Sequence, residues 1–222
     1  MIDGGIMLHK MIFLLSVTIA ALSGAASARA AEVDPRPSAN AISVAPTVAA
    51  APASGLCGST VLIVRHAEKP DEGVGLTPAG EARAAAYARY FQSFPFKGAM
   101  LHVDTLVAAA DTGHSERPRL TLAPLSQAIA IPVQQPSASE DVGGLTNWLR
   151  AGPAKRTILV SWHHSKIGRL VGALGADPRQ FLFLGRWPPS VYNWVVVLHF
   201  DADGNFVPSS SGLVKEDGTL AS

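Results

Sequence analysis

The chain reads as an α/β fold: a three-layer αβα arrangement with a mostly parallel central sheet. Three observations predict it. The apolar runs Val61-Leu62-Ile63-Val64 and Thr157-Ile158-Leu159-Val160 have the length and β-branched content of buried parallel strands. Helical patterns alternate with such runs along the chain. Both runs lead into histidines, through Arg65-His66 and through Ser161-Trp162-His163-His164. In an open α/β sheet, ligands bind just beyond the carboxyl ends of the strands. The two histidine groups therefore point at one place.

The elements come in this order. A strand over 60–65 runs into a loop, Ala67 to Gly75. Leu76-Thr77-Pro78-Ala79-Gly80-Glu81 then opens a helix. Thr77 suits the N-cap, Pro78 the first helical position, and Glu81 the positive end of the helix dipole. That helix continues to Tyr90-Phe91, before Pro95 and Gly98 interrupt. Leu101 to Ala109 reads as a second strand. A helix from about Ser115 to Ala130 is expected to bend or restart at Pro124. Ile131-Pro132-Val133 is a short extended piece, and a helix at 140–150 carries Leu145, Trp148 and Leu149. The strand at 157–161, a helix from Ile167 to Leu174 closed by Gly175, and a long strand from Val191 to Phe200 complete the pattern. Asp201-Ala202-Asp203-Gly204 signals a turn, with room for a short strand beyond it.

The chain has 222 residues, 48% hydrophobic content and a formal charge of +1. That is enough for one ordinary core. The charge supplies no bulk field to recruit nucleic acid or an anionic membrane. The N-terminus has the order of a secretory signal: His9 and Lys10, an apolar run from Met11 to about Ala21, and Ala28-Arg29-Ala30. Residues 1–30 are accordingly expected to be a signal peptide, 31–56 an Ala/Pro-rich leader too poor in apolar groups to fold, and 57–222 the folded domain. This predicts an exported protein, periplasmic or secreted, with no stable membrane insertion after cleavage. Cys57 is the single cysteine, so no internal disulfide is available.

Val64-Arg65-His66-Ala67-Glu68-Lys69-Pro70 resembles the Arg-His-Gly/Ala motif of the histidine phosphatase superfamily, the phosphoglycerate-mutase-like proteins. Leu76-Thr77-Pro78-Ala79-Gly80-Glu81-Ala82-Arg83-Ala84 is similar to the family's Leu-Thr-x-x-Gly-x-x-Arg-Ala helix start. Ser115-Glu116-Arg117-Pro118-Arg119-Leu120-Thr121 is similar to the segment bearing its second phosphate-binding arginine, and Ile158 to Ile167 to the strand and loop bearing its second histidine. Trp187-Pro188 and Tyr192 also resemble residues of this group. The likeness spans about residues 58–200. The small domain, without a basic cluster in the loops 71–75 or 132–144, resembles the small branch-1 type rather than the phytase-like branch.

The resemblance implies that His66 is a nucleophile forming a phosphohistidine that water then hydrolyses. Arg65 and Arg117 bind the phosphate, and a second histidine stabilises the transferred group. For that role the match at Trp162 favours His164 as catalytic, with His163 binding substrate; the spacing to Ile167 fits His163 instead. The family takes its general acid from the segment before the second-histidine strand, which here offers Glu140, with Asp141 beside it and Glu68 as a rival near the nucleophile. No metal and no cofactor are implied. The expected partner is a small phosphorylated substrate or a phosphoprotein.

Physical chemistry explains why these residue types belong together. Transfer to a histidine needs a neutral imidazole with a free lone pair, and neighbouring cations favour that form. Two guanidiniums grip phosphate oxygens in bidentate fashion and hold the charge of the transition state. The competing readings are a non-catalytic anion-binding module on the same fold, a phosphomutase, and a zinc hydrolase using His66, His163 and His164. The last lacks any recognised ligand spacing.

Overall fold

In a computed structural model of the chain, the structure describes residues 55–216. The expected signal peptide and nearly all of the leader lie outside the described residues. Leu56, at the end of that leader, is already buried in the core, and the Gly55 amide donates to the Gly152 carbonyl.

Six strands form one sheet in the order β5-β4-β6-β1-β7-β8. They are β1 (Thr60–Arg65), β4 (Thr105–Ala108), β5 (Val133–Gln134), β6 (Thr157–Trp162), β7 (Trp194–His199) and β8 (Gly212–Lys215). Pairings β4·β5, β4·β6 and β1·β6 are parallel, whereas β7 runs antiparallel to β1 and to β8. Helices α1 (Pro78–Tyr90) and α2 (Arg117–Ile129) cover one face, where Tyr87, Phe91, Leu122 and Leu125 pack on Leu62, Val64 and Leu159. Helices α3 (Val142–Ala151) and α4 (His164–Ala173) cover the other, where Leu145, Leu149, Ile167 and Leu170 pack on Val61, Ile63, Ile158 and Val160. This is the three-layer αβα architecture with a mostly parallel sheet. Strand residues alternate between the two cores, as the period of two requires.

Several boundaries move for physical reasons. The expected strand from Leu101 to Ala109 divides. Its start pairs in a hairpin of β2 (Phe94–Phe96) and β3 (Ala99–Leu101), and only Thr105–Ala108 joins the main sheet. The hairpin turns at Lys97 and Gly98, both at positive φ (47° and 81°), the two-residue geometry that suits strand twist. Helix α2 runs through Pro124 without restarting, its loss limited to one backbone hydrogen bond. Helix α4 begins three residues before Ile167, directly on the end of β6, so no loop separates strand from helix. Residues 191–193 leave the expected last strand and join a strap over the sheet end. Among the described residues no helix is long and apolar enough to cross a membrane.

Candidate active site

The register of β1 against β6 builds the site. Arg65 pairs with Trp162, and the His66 amide donates to the Trp162 carbonyl at 2.9 Å. One step on, His66 meets His163. Their rings stand edge to face with centroids 5.1 Å apart. The structure thus brings His163, rather than His164, against His66. The reason is parity: Ser161 and His163 extend the strand face that carries Val64 and His66, whereas His164 is the first residue of α4 and lines an adjoining cavity.

His66 is 2% exposed. Its Nδ1 lies 2.7 Å from the Ala67 carbonyl oxygen, which only accepts, so Nδ1 carries the proton and Nε2 keeps its lone pair. Burial pushes the His66 pKa down to about 3; His163, Arg65 and Arg117 act in the same direction, against the Ala67 hydrogen bond. Burial also takes His163 down to about 4, aided by Arg117 and His164 and opposed by Glu140. His164 is lowered by burial and then by Arg65. The site holds neutral imidazoles among guanidiniums.

Arg65 is buried and serves two tasks. Its NH1 group donates to the carbonyls of Pro189 and Val191, which fixes the strap. Tyr192, on that strap, lies under the guanidinium at 3.7 Å from ring centre to Cζ. The strap is also held by Trp187 Nε1 donating to the Val191 carbonyl and Tyr87 Oη donating to that of Tyr192. Arg117, at the start of α2, donates to the carbonyls of Gly73 and His114. Arg65 Nε and Arg117 Nε are both buried without a hydrogen-bond partner. Two such donors beside two imidazoles call for an anionic acceptor. The N-terminus of α4 opens at the same point and adds its positive end.

The loop after His66 is held from both sides. Thr121 Oγ accepts from the Ala67 amide and donates to the Arg117 carbonyl, both at 2.8 Å, coupling the loop after His66 to the start of α2 through one buried hydroxyl. On the other side the Thr77-x-x-Gly80-x-x-Arg83 spacing is a cradle for Glu68. The Thr77 amide donates to the Glu68 carbonyl at 3.0 Å, and a Cβ at Gly80 would lie 2.5 Å from that oxygen. Arg83 grips the Glu68 carboxylate through Nε and NH2, the latter at 2.7 Å.

This arrangement sorts the three acids. Glu68 is committed to Arg83. Asp141 caps α3 by accepting from the Gly144 amide at 2.8 Å, and a Cβ at Gly144 would sit 2.1 Å from the capping carboxylate. The glycines after Asp141 thus serve the cap. Glu140 is 70% exposed, pairs with Lys166 at 2.6 Å, and acts electrostatically on His163, so it stands at the mouth of the site. Thr121, Tyr192 and Arg83 are the contributors that a search for catalytic residue types passes over. Their only signals in the sequence are their positions within the motif segments; their side-chain chemistry does not mark them.

No family model matches the chain, and no curated protein matches it. Solved structures similar to it include phosphoglycerate mutase from Plasmodium falciparum, at 16% identity and TM-score 0.46 over 74% of this chain and 92% of that one. A second is the putative phosphohistidine phosphatase SixA from Agrobacterium tumefaciens, at 20% identity and TM-score 0.40 over 64% of this chain and 91% of that one. A third is a mycobacterial glucosyl-3-phosphoglycerate phosphatase in complex with inorganic phosphate, at 12% identity and TM-score 0.40 over 73% of this chain and 99% of that one.

Proposed function

We propose that the chain is a metal-independent phosphatase that hydrolyses phosphomonoesters or phosphoprotein through a phosphohistidine on His66. One observation carries the reading: a buried neutral His66, its Nε2 lone pair free, lies against His163 within the electrostatic reach of two guanidiniums whose buried Nε groups lack partners. In the first step Nε2 attacks phosphorus, the ester P–O bond breaks, and the leaving oxygen takes a proton from Glu140, which must release its ion pair with Lys166 and act in its protonated form. In the second, Glu140 takes a proton from water, the water oxygen bonds to phosphorus, and the P–N bond breaks to release phosphate and neutral His66. His163 serves as the charge-stabilising histidine, with Arg65 and Arg117 holding the equatorial oxygens. The guanidiniums do the work a divalent cation does elsewhere. The setting proposed for this activity is outside the cytoplasm, after removal of the N-terminal signal.

The test is hydrolysis of phenyl phosphate by the purified chain with and without EDTA, with alkaline quench to preserve a phosphohistidine. Metal-independent turnover and a labelled phosphoenzyme that disappears in His66→Ala are expected. Turnover abolished by EDTA and restored by zinc sinks the reading in favour of a metallohydrolase. Phosphate binding without turnover makes the site an anion-binding module.

A further inference from the structure

A cavity of about 950 Å³ adjoins the candidate phosphate site, between the start of α4 and the segment 177–189. The two share walls. His164, next in the chain to His163, lines the cavity, and so does Pro189, whose carbonyl Arg65 holds. The volume suits a small organic ligand rather than a bare phosphate.

Its lining is apolar with a cationic rim. Trp187, Pro188 and Pro178 form the floor. Phe183 and Leu184 stand at the lip, 74% and 76% exposed. Exposed large apolar groups gathered at a concave surface mark a binding groove. The lip is built rather than frayed. Leu184 has φ 49° and ψ 30°, a left-handed conformation costly for a bulky residue. The loop lies so close to α4 that a Cβ at Gly168 would be 2.2 Å from the Gly185 carbonyl oxygen. Around this wall stand Arg169, Arg179 and Arg186. Arg179 is paired with Asp177 at 2.9 Å, whereas Arg169 and Arg186 have no acidic partner among the described residues.

We propose that this cavity receives the alcohol portion of the substrate, and that the substrate is an amphiphilic phosphomonoester whose apolar body carries a second anionic group. The inference rests on the phosphatase reading for the reaction, and on the cavity alone for the substrate class. The phosphate sits against the touching pair His66 and His163, the ester oxygen leaves past His164, the apolar body lies on Trp187 and Phe183, and the second anion meets Arg169 and Arg186.

The experiment compares kcat/KM for 6-phosphonooxy-2-naphthoate, which has the proposed features, with that for acetyl phosphate, which is too short to reach the cavity. Two variants are used: Arg169→Ala/Arg186→Ala and Phe183→Ser/Leu184→Ser. Their sites are exposed, and thermal melts check the fold. In each, the naphthoate-to-acetyl preference falls at least tenfold, and 6-hydroxy-2-naphthoate, followed by its fluorescence, binds at least tenfold more weakly than to the native chain. A native chain that hydrolyses both substrates while neither variant changes the preference overturns the subsite and leaves the phosphatase reading standing. A native chain that hydrolyses neither defeats the phosphatase reading. The hydroxynaphthoate measurement then decides the cavity: binding lost in the variants supports it, and binding absent or unchanged overturns it.

Discussion

Strands β1 and β6 lie side by side, run the same way and each deliver a histidine to the same point, yet they hand the chain on differently. After β1 the backbone enters a loop stapled by Thr121 on one side and by the Thr77, Gly80 and Arg83 cradle on the other. After β6 it passes straight into α4, with His163 as the N-cap residue. The first arrangement fixes an imidazole tautomer and leaves the Nε2 lone pair without a proton, as the proposed nucleophile requires. The second sets an imidazole at the positive end of a helix, a position that suits the charge-stabilising role proposed for His163, in which no bond to phosphorus forms. Two histidines in near-identical sheet positions thereby acquire different surroundings, one from a stapled loop and the other from a helix start, and the proposed mechanism gives them different roles.

The sharpest way to break this contrast is to truncate each histidine. His66→Ala is expected to lower kcat on phenyl phosphate by at least about 10³-fold, since loss of a nucleophile removes the pathway itself. His163→Ala is expected to cost about a hundredfold, the scale for one preorganised charge-stabilising group. His164→Ala should cost less than about tenfold, because that side chain borders the adjoining cavity. If steady-state kinetics rank His164 above His163, the strand-face argument fails, and the catalytic role passes to the first residue of α4.

The staple after β1 gives the next test. Thr121→Val preserves shape and removes the hydroxyl that joins the Ala67 amide to the Arg117 carbonyl. Leaving the buried Ala67 N–H unsatisfied is expected to cost about 1–3 kcal/mol of stability in urea unfolding. Because His66 and Arg117 then lose their common anchor, kcat should fall about tenfold with KM less affected. Thr121→Ser, which restores the hydroxyl, should recover most of both. A Val variant with native kcat would show that α2 and the loop hold their places without the link.

The same contrast explains how much of the molecule is legible in its sequence. The strand at 60–65, the helix from Pro78 and the convergence of both histidine groups come from composition and alternation, and all appear in the fold. The choice between His163 and His164 depends on register, which single-strand patterns do not carry. It rests on Thr60 aligning with Thr157 across the pair. The hairpin at Lys97-Gly98 escapes a sequence reading because lysine is not among the residues that usually announce such a turn. Leu101 to Ala109 therefore looks like one strand. The acids are ambiguous in sequence because Glu68, Asp141 and Glu140 differ only in what they contact. The cavity at 177–189 is not legible at all, since its lip depends on backbone conformation at Leu184 and a close approach at Gly168.

The smallest effect concerns protons, and it stems from the depressed His66 pKa. In the unfolded chain this histidine has its ordinary value near 6.5; in the fold it is about 3. Below about pH 6.5 the unfolded state therefore binds a proton that the native state refuses. Acid favours unfolding, and stability falls as pH drops from about 6.5 toward about 3, being fully present above that window. The slope from one such group approaches about 1.4 kcal/mol per pH unit. His163, lowered to about 4, adds in the same direction with less weight because it is partly exposed. His66→Asn retains a neutral donor toward Ala67 and cannot titrate. Urea unfolding at intervals from about pH 7 to about pH 5 should therefore show a shallower decline in this variant than in the native chain. Ring-carbon NMR shifts should show His66 still neutral at about pH 5. If His66 instead titrates near its ordinary value of about 6.5 and the two chains lose stability in parallel, the neutral lone pair at the end of β1 is not maintained by the fold, and the distinction between the two strand ends loses its electrostatic half.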